Sequence, residues 1–201
     1  MALFPIRPVI VASALLAIVA SSMAESNSFE NVNGGINYLH YFGRDGQPSF
    51  NSYLLSVGSN IFNDDISVDL RTEFGDEQDS TNTYNLLEAG LRGQVQIPSS
   101  DVFSVYVRAA AGQFWQSVDT DFPFWSIEPG VSVNFSNTVT GNFGYRYRNA
   151  FDSNKHEFES NTAVVAIEWM PTRNHGINIL YQYAAKDQKY DMVGIGYAYS
   201  F

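Results

Sequence analysis

The chain has 201 residues, enough for one domain, and its 45% hydrophobic and 16% charged content is too apolar for a disordered chain and too polar for a helical membrane protein. A formal charge of -10, from 11 Lys and Arg against 21 Asp and Glu, argues against a nucleic-acid partner. The absence of cysteine excludes disulfide scaffolds, thiol nucleophiles, thiolate zinc sites and an acylated lipoprotein cysteine.

Residues 1–24 read MALFPIRPVIVASALLAIVASSMA, with one cation at Arg7, an apolar run from Val9 to Ala20, and Ser22 and Ala24 flanking Met23. That is the pattern of a secretory signal peptide cleaved after Ala24, which leaves 25–201 as the mature domain. The apolar run, about a dozen residues, is too short for a membrane-spanning helix of roughly 20. Loss of Arg7 without loss of an acid makes the mature chain one charge more negative.

From Asn33 onward alternate residues are apolar, which is the period of a strand. Ten such segments are predicted: 32–42, 51–60, 64–74, 83–96, 102–116, 123–135, 138–149, 160–170, 175–184 and 190–201. In the third, Ile66, Val68, Leu70 and Phe74 oppose Asp69, Arg71 and Glu73. In the fourth, Leu87, Ala89, Leu91 and Val95 oppose Glu88, Arg92, Gln94 and Gln96. The sixth sets Trp125, Ile127, Val131 and Val133 against Ser126, Glu128, Ser132 and Asn134. The seventh sets Val139, Phe143, Tyr145 and Tyr147 against Asn142, Gly144, Arg146 and Arg148, and the eighth Val165, Ile167 and Trp169 against Glu168.

Periodicity alone does not separate a sandwich with a dry centre from a barrel with its apolar side outward. Three features favour the barrel. The odd-numbered connections, such as GRDGQPSF and FDSNKHEFES, are longer and more charged than most even-numbered ones. Short periplasmic turns, longer external loops and an even strand count fit an outer-membrane barrel with both termini inside. Aromatics also gather at segment ends: Phe42, Tyr53, Phe74, Tyr84, Trp115, Phe122, Phe124, Trp125, Tyr147, Tyr183 and Tyr190 toward the odd connections, and Phe62, Phe103, Phe135, Trp169, Tyr199 and Phe201 toward the even ones. This reads as two girdles at the two headgroup levels. Finally, VGIGYAYSF alternates up to a terminal Phe201, as in bacterial outer-membrane proteins whose assembly machinery reads a closing aromatic; Tyr199 and Phe201 are the candidate assembly signal.

The expected fold class is therefore all-β, a transmembrane antiparallel up-and-down β-barrel of ten strands in the bacterial outer membrane. Closure requires the last strand to meet the first, because backbone polar groups in lipid must be paired within the protein. Gly34 and Gly35 suggest a bend or close approach at that seam.

In this register no strand puts a charge on the lipid face. The predicted lumen holds the carboxylates Asp69, Glu73, Glu88, Glu128 and Glu168 and the arginines Arg71, Arg92, Arg108, Arg146 and Arg148. Guanidinium keeps its charge in confinement and bonds carboxylates in two-pronged fashion. Two readings stand side by side: cross-strand ion pairs that fill and stiffen a non-conducting structural or surface-interaction barrel, or a narrow channel whose arginines draw anionic solutes past the carboxylates.

The run FPFWSIEPGVSVNFSNTVTGNFGYRYRNAF, with AVVAIEW, INILYQY and VGIGYAYSF, resembles the small monomeric porins specific for acidic oligosaccharides, the oligogalacturonate-specific porin family, over about 50–201. The resemblance implies a polar-lumened porin passing acidic sugars along arginine-lined walls, with that role for Arg146 and Arg148 and less directly for Arg71, Arg92 and Arg108. It also implies twelve strands, against the ten counted here.

His40, His156 and His175 lie on three separate segments, unlike a metal-binding motif, so no metal and no cofactor is expected. Asp152 and His156 share one loop but lack long rim loops to build a cleft, so the protein is not read as an enzyme. Asp76, Glu77 and Asp79 could bind Mg²⁺ or Ca²⁺ or simply solvate a loop. The expected partners are outer-membrane lipid and lipopolysaccharide, the barrel-assembly machinery and small solutes, with the protein a monomer.

Overall fold

Alternation makes each segment a two-faced ribbon, and a ribbon of that kind is stable in lipid only when its edges are paired. A computed structural model describes residues 29–61, 63–78, 81–116, 121–152 and 158–201. Ten antiparallel strands join into a closed barrel in which each pairs with its sequence neighbours. They are β1 (Phe29–Gly43), β2 (Phe50–Ile61), β3 (Asn63–Glu77), β4 (Thr83–Gln96), β5 (Phe103–Gln116), β6 (Phe122–Ser136), β7 (Val139–Ala150), β8 (Ser160–Trp169), β9 (His175–Lys186) and β10 (Tyr190–Ser200). The count is ten, not the twelve that the resemblance implied. The leader expected over 1–24 lies outside the described residues, as do Phe62, Asp79 and His156.

Phe29 and Phe201, the first and last described residues, lie at one rim, here the terminal end; the opposite rim is the loop end. The expected length asymmetry is weak, since the loop-end connection between Lys186 and Tyr190 is shorter than the terminal-end connection between Gln96 and Phe103.

The seam runs from Asn33 opposite Ser200 to Gly43 opposite Tyr190. Of the two glycines singled out from sequence, Gly35 does approach the seam closely, a Cβ there lying 3.3 Å from the Tyr197 carbonyl oxygen, while Gly34 has ordinary room; the tightest glycines are on β10. A Cβ on Gly194 would sit 2.4 Å from Leu39 Cδ2, and one on Gly196 2.0 Å from Asn37 Oδ1. β10 supplies bare backbone over which inward side chains of β1 lie. The irregularity of β1 comes earlier, as a register shift between Glu30 and Asn33 beside Asn31, whose φ is 51°.

The outward face carries Leu91, Val95, Val105, Val107, Ile179, Tyr145 and Ile195, all exposed in the isolated chain. Water would leave this continuous apolar wall unburied, at a cost of about 25 cal/mol per Å². A hydrocarbon phase removes that cost.

The interior is not uniformly polar. Leu39, Tyr41, Ala184, Tyr190 and Met192 form one buried cluster, and Leu86, Phe122, Phe124 and Ala150 another. Four aromatics read as outer girdle, Tyr84, Phe122, Phe124 and Tyr190, point inward instead. The cause is parity: Phe122 and Phe124 lie an even number of residues from Glu128, and Tyr84 from Glu88, so each shares the lumen-facing side of its strand. Trp115 remains outward, exposed in the isolated chain. Trp125 and Tyr147 pack against each other on that outer face, ring centroids 5.3 Å apart.

Candidate functional site

Arginine side chains reach across the centre of the barrel, and Arg108 makes the most carboxylate bonds of them. Arg108, inward on β5, lies over Gly90 of β4, where a Cβ would come within 2.5 Å of its Nη2. Because Gly90 leaves that path open, Arg108 reaches past β4 to β3, donating from Nε to Asp69 Oδ1 at 2.8 Å and from Nη2 to Asp69 Oδ2 at 2.6 Å. Nη2 also meets Glu88 Oε1 at 2.6 Å. Arg71 Nε pairs with Asp69 at 3.0 Å, and Arg148 Nη2 reaches Glu88 Oε2 at 3.4 Å. Three arginines and two carboxylates from four strands thus form one network, with Arg108 and Glu88 only 3% and 2% exposed. Low dielectric strengthens such pairs while raising the cost of losing either member.

The other two arginines meet neutral partners. Arg146 donates to Gln182 Oε1 at 2.7 Å, and its buried Nε has no hydrogen-bond partner. Arg92 contacts Gln94 at 2.8 Å and Asn142 at 3.0 Å, with its guanidinium 3.8 Å from the Tyr106 ring centre. That ring crosses Gly130 and Gly144, where a Cβ would clash with it, and its hydroxyl donates to Glu128 at 3.1 Å. Glu168 faces inward near the terminal end, opposite Thr140 and Asn178. The ten residues proposed from sequence for the lumen therefore divide. Asp69, Glu88, Arg71, Arg108 and Arg148 share one network, Arg92 and Glu128 flank Tyr106, and Arg146, Glu73 and Glu168 stand apart.

Two cavities open on either side of this belt. The larger, about 500 Å³, lies at the loop end, with Glu73 and Arg148 in its floor. Glu73 Oε1 accepts from three hydroxyls: Tyr41 at 2.8 Å, Ser52 at 2.6 Å and Tyr84 at 2.5 Å. The Tyr84 ring can lie that way because Gly75 beneath it has no side chain; a Cβ there would be 2.1 Å from the ring. Around the wall the rings run in sequence, Tyr190 to Tyr41 at 4.9 Å, Tyr41 stacked on Phe50 at 4.1 Å, and Phe50 to Tyr84 at 5.2 Å. The arc continues from Tyr84 to Phe114 at 5.8 Å and from Phe114 to Phe122 at 5.2 Å. The smaller cavity, about 270 Å³, is polar and lies at the terminal end, with Arg92, Gln94, Asn134 and Asn142 in its wall. Neither wall includes Asp69, Glu88 or Arg108.

The hydroxyl donors Tyr41, Ser52, Tyr84 and Tyr106 were not singled out from sequence as lumen residues. Even spacing from a charged residue on the same strand finds Tyr84, from Glu88, and Tyr106, from Arg108; β2 carries no charged residue and the register of β1 shifts between Glu30 and Tyr41, so Ser52 and Tyr41 have no such signal. At the rim, Lys189 Nζ donates to Asp45 Oδ2 at 3.0 Å and holds that carboxyl below the ordinary carboxylate range. His40 bonds Asn51 at 2.7 Å on the outer surface near the loop end, and His175 bonds the Tyr197 hydroxyl at 2.5 Å near the terminal end. Phe201 donates its backbone N–H to Val32 at 2.9 Å and packs edge-on against Tyr199, ring centroids 5.0 Å apart.

A closed antiparallel barrel with an apolar outer wall and ion pairs within is an outer-membrane β-barrel, and its place is the bacterial outer membrane. The chain belongs to the outer membrane protein beta-barrel domain family, whose model matches residues 10–201. By sequence it matches no curated protein. Among solved structures it is similar to the beta domain of the Bordetella autotransporter BrkA, with 10% identity over 87% of this chain and 100% of that one and a TM-score of 0.57. It is also similar to an outer membrane channel from Pseudomonas putida F1, with 7% identity, coverage of 88% and 97%, and a TM-score of 0.52. The KdgM porin follows with 14% identity, coverage of 83% and 99%, and a TM-score of 0.47. At these identities the likeness is one of fold.

Proposed function

We propose that the protein is a narrow porin-like channel for small solutes, with the charged belt as its constriction and anions favoured over cations. The observation that carries this reading is a pair of belt arginines with no acid beside them. Over the whole lumen Arg71, Arg92, Arg108, Arg146 and Arg148 stand against Asp69, Glu73, Glu88, Glu128 and Glu168, but the acids are not shared evenly. Arg92 and Arg146 have no acidic partner within ion-pair distance among the described residues; Arg92 lines the terminal-end cavity, where a solute would meet its charge, and Arg146 adds positive potential from a buried position. Acidic oligosaccharides, the substrate class suggested by the sequence resemblance, would need the Arg108 crossing to swing aside, because neither cavity extends through it.

Recording from the mature barrel in a planar bilayer tests this. The expected result is a small, stable conductance with anion preference, and an Arg146→Ala, Arg148→Ala double variant that loses the preference. No conductance at molar salt would overturn the channel. The second reading, a non-conducting barrel with a salt-bridged interior, draws on the density of ion pairs around Arg108 and would then stand. In either case lipid and lipopolysaccharide surround the wall, the terminal end faces the periplasm, and Tyr199 with Phe201 serves the assembly machinery.

A further inference from the structure

We infer that the loop-end cavity is a binding site for a small organic cation with an apolar body, such as an aryl-substituted ammonium, whether or not the belt conducts. Three features of the cavity point the same way.

The wall holds the aromatic arc from Tyr190 through Tyr41, Phe50 and Tyr84 to Phe114, and ring faces carry the negative end of their quadrupole, which attracts cations. The floor holds Glu73, 9% exposed, with all three of its hydroxyl donors on Oε1; Oε2 accepts no hydrogen bond among the described residues. Oε2 is not among the fully buried atoms without a partner, so it keeps contact with the cavity that Glu73 lines, and an anionic oxygen open to a space walled by aromatic rings favours a donor or a cation there.

The third feature is the field. The cavity wall includes three carboxylates, Glu73, Glu77 and Asp187, and two cations, Arg148 and Lys189. Both cations are tied to acids outside the wall, Arg148 to Glu88 and Lys189 to Asp45. None of the three carboxylates has an ion-pair partner among the described residues; Glu77 accepts only an amide, from Asn82 at 2.7 Å. The cavity is therefore anionic although it borders an arginine belt. Its volume, about 500 Å³, falls in the range of small-molecule sites. An anion is disfavoured here by the same carboxylates, and a neutral ring leaves Glu73 unpaired.

The test is calorimetric titration of the mature barrel refolded in non-ionic maltoside micelles, which carry no ammonium group to compete, with empty micelles as the blank. Three probes share one ring: benzyltrimethylammonium, benzyl alcohol and phenylacetate. The cation is expected to bind at least tenfold more tightly than the other two, and Glu73→Gln to abolish most of that preference while the barrel keeps its heat-shifted mobility on a gel. If Glu73→Gln does not fold, Glu77→Gln at the rim is the second variant, expected to lower the cation's affinity severalfold without touching the hydroxyl cluster. Phe50→Leu is expected to weaken the cation more than benzyl alcohol. Equal affinity for the three probes, no binding of the cation, or an undiminished preference in the folded Glu variant would overturn the inference.

Discussion

Arg108→Met is the most informative single change, because it removes the lumen arginine with the most carboxylate bonds while keeping most of its length. Three charge-assisted hydrogen bonds disappear: two to Asp69, at 2.8 and 2.6 Å, and one to Glu88 at 2.6 Å. Taken singly, hydrogen bonds to charged groups are each worth about 1.5–3 kcal/mol. They do not add, because Asp69 keeps Arg71 at 3.0 Å and Glu88 keeps Arg148 at 3.4 Å. Removing one partner of a buried pair costs about 3–5 kcal/mol, and the surviving arginines place this variant near the lower end, about 3 kcal/mol. Urea unfolding of the refolded barrel in thin-bilayer vesicles measures it, read by the fluorescence of the chain's 3 tryptophans, all on the lipid-facing side. A loss below about 1 kcal/mol would refute the reasoning, because it would make the belt a water-screened surface pair. The same variant should raise single-channel conductance if Arg108 is the constriction.

Further outcomes follow from the same geometry. Gly90→Ala puts a methyl 2.5 Å from the Arg108 guanidinium and should cost about 1–3 kcal/mol in the same assay, whereas Gly93→Ala, with nothing within 4 Å of its Cβ, should be close to neutral. Leu91→Arg on the lipid face should destabilise by about 2–4 kcal/mol, and a neutral result would mean that this face is not in hydrocarbon. Asp45 should titrate below the usual carboxylate range by NMR and return toward it in Lys189→Gln. Because its folded pKa is depressed, the pair's contribution to stability is present above the ordinary carboxylate pKa and fades as pH falls through the lowered one; at this exposed rim the change in unfolding midpoint should be slight. Deleting Phe201 should slow assembly into membranes more than it lowers stability, since the ring is largely exposed and only the backbone N–H is anchored.

The strand count, the closing pair and the facing of Leu91 or Glu128 were legible because period two fixes which residues share a face, the connections, aromatic ends and terminal strand turn the apolar face outward, and lipid then leaves the backbone no other way to pair. Strand ends were harder. Tyr84 and Tyr190 sit where a girdle is expected, and only parity counted from Glu88 and from Met192 turns them inward. Which arginine meets which acid was not legible at all. Arg108 is opposite Glu128 across β5 and β6, yet it pairs with Glu88 on its other neighbour and with Asp69 two strands away. That choice depends on the missing side chain at Gly90 and on Tyr106 already donating to Glu128. Inside a narrow barrel a side chain reaches past its nearest neighbour, so pairing is decided by where glycine leaves room.

That rule also explains how one lumen holds two opposite electrostatic regions. At the mouth, Gly75 admits the Tyr84 ring, whose hydroxyl joins those of Tyr41 and Ser52 on Glu73, and a negative floor results. One layer deeper, Gly90 admits Arg108, which occupies Asp69 and Glu88 and leaves Arg92 and Arg146 facing neutral amides, so the belt is positive. A cation drawn to the mouth meets a barrier beneath it, and an anion able to pass the belt gains nothing from the mouth. Capture and passage are thus separate properties of separate residues: Glu73→Gln should alter the first without changing ion preference, and Arg146→Ala should alter the second without changing cation binding. If each substitution moved both properties, the two regions would have to be treated as one site.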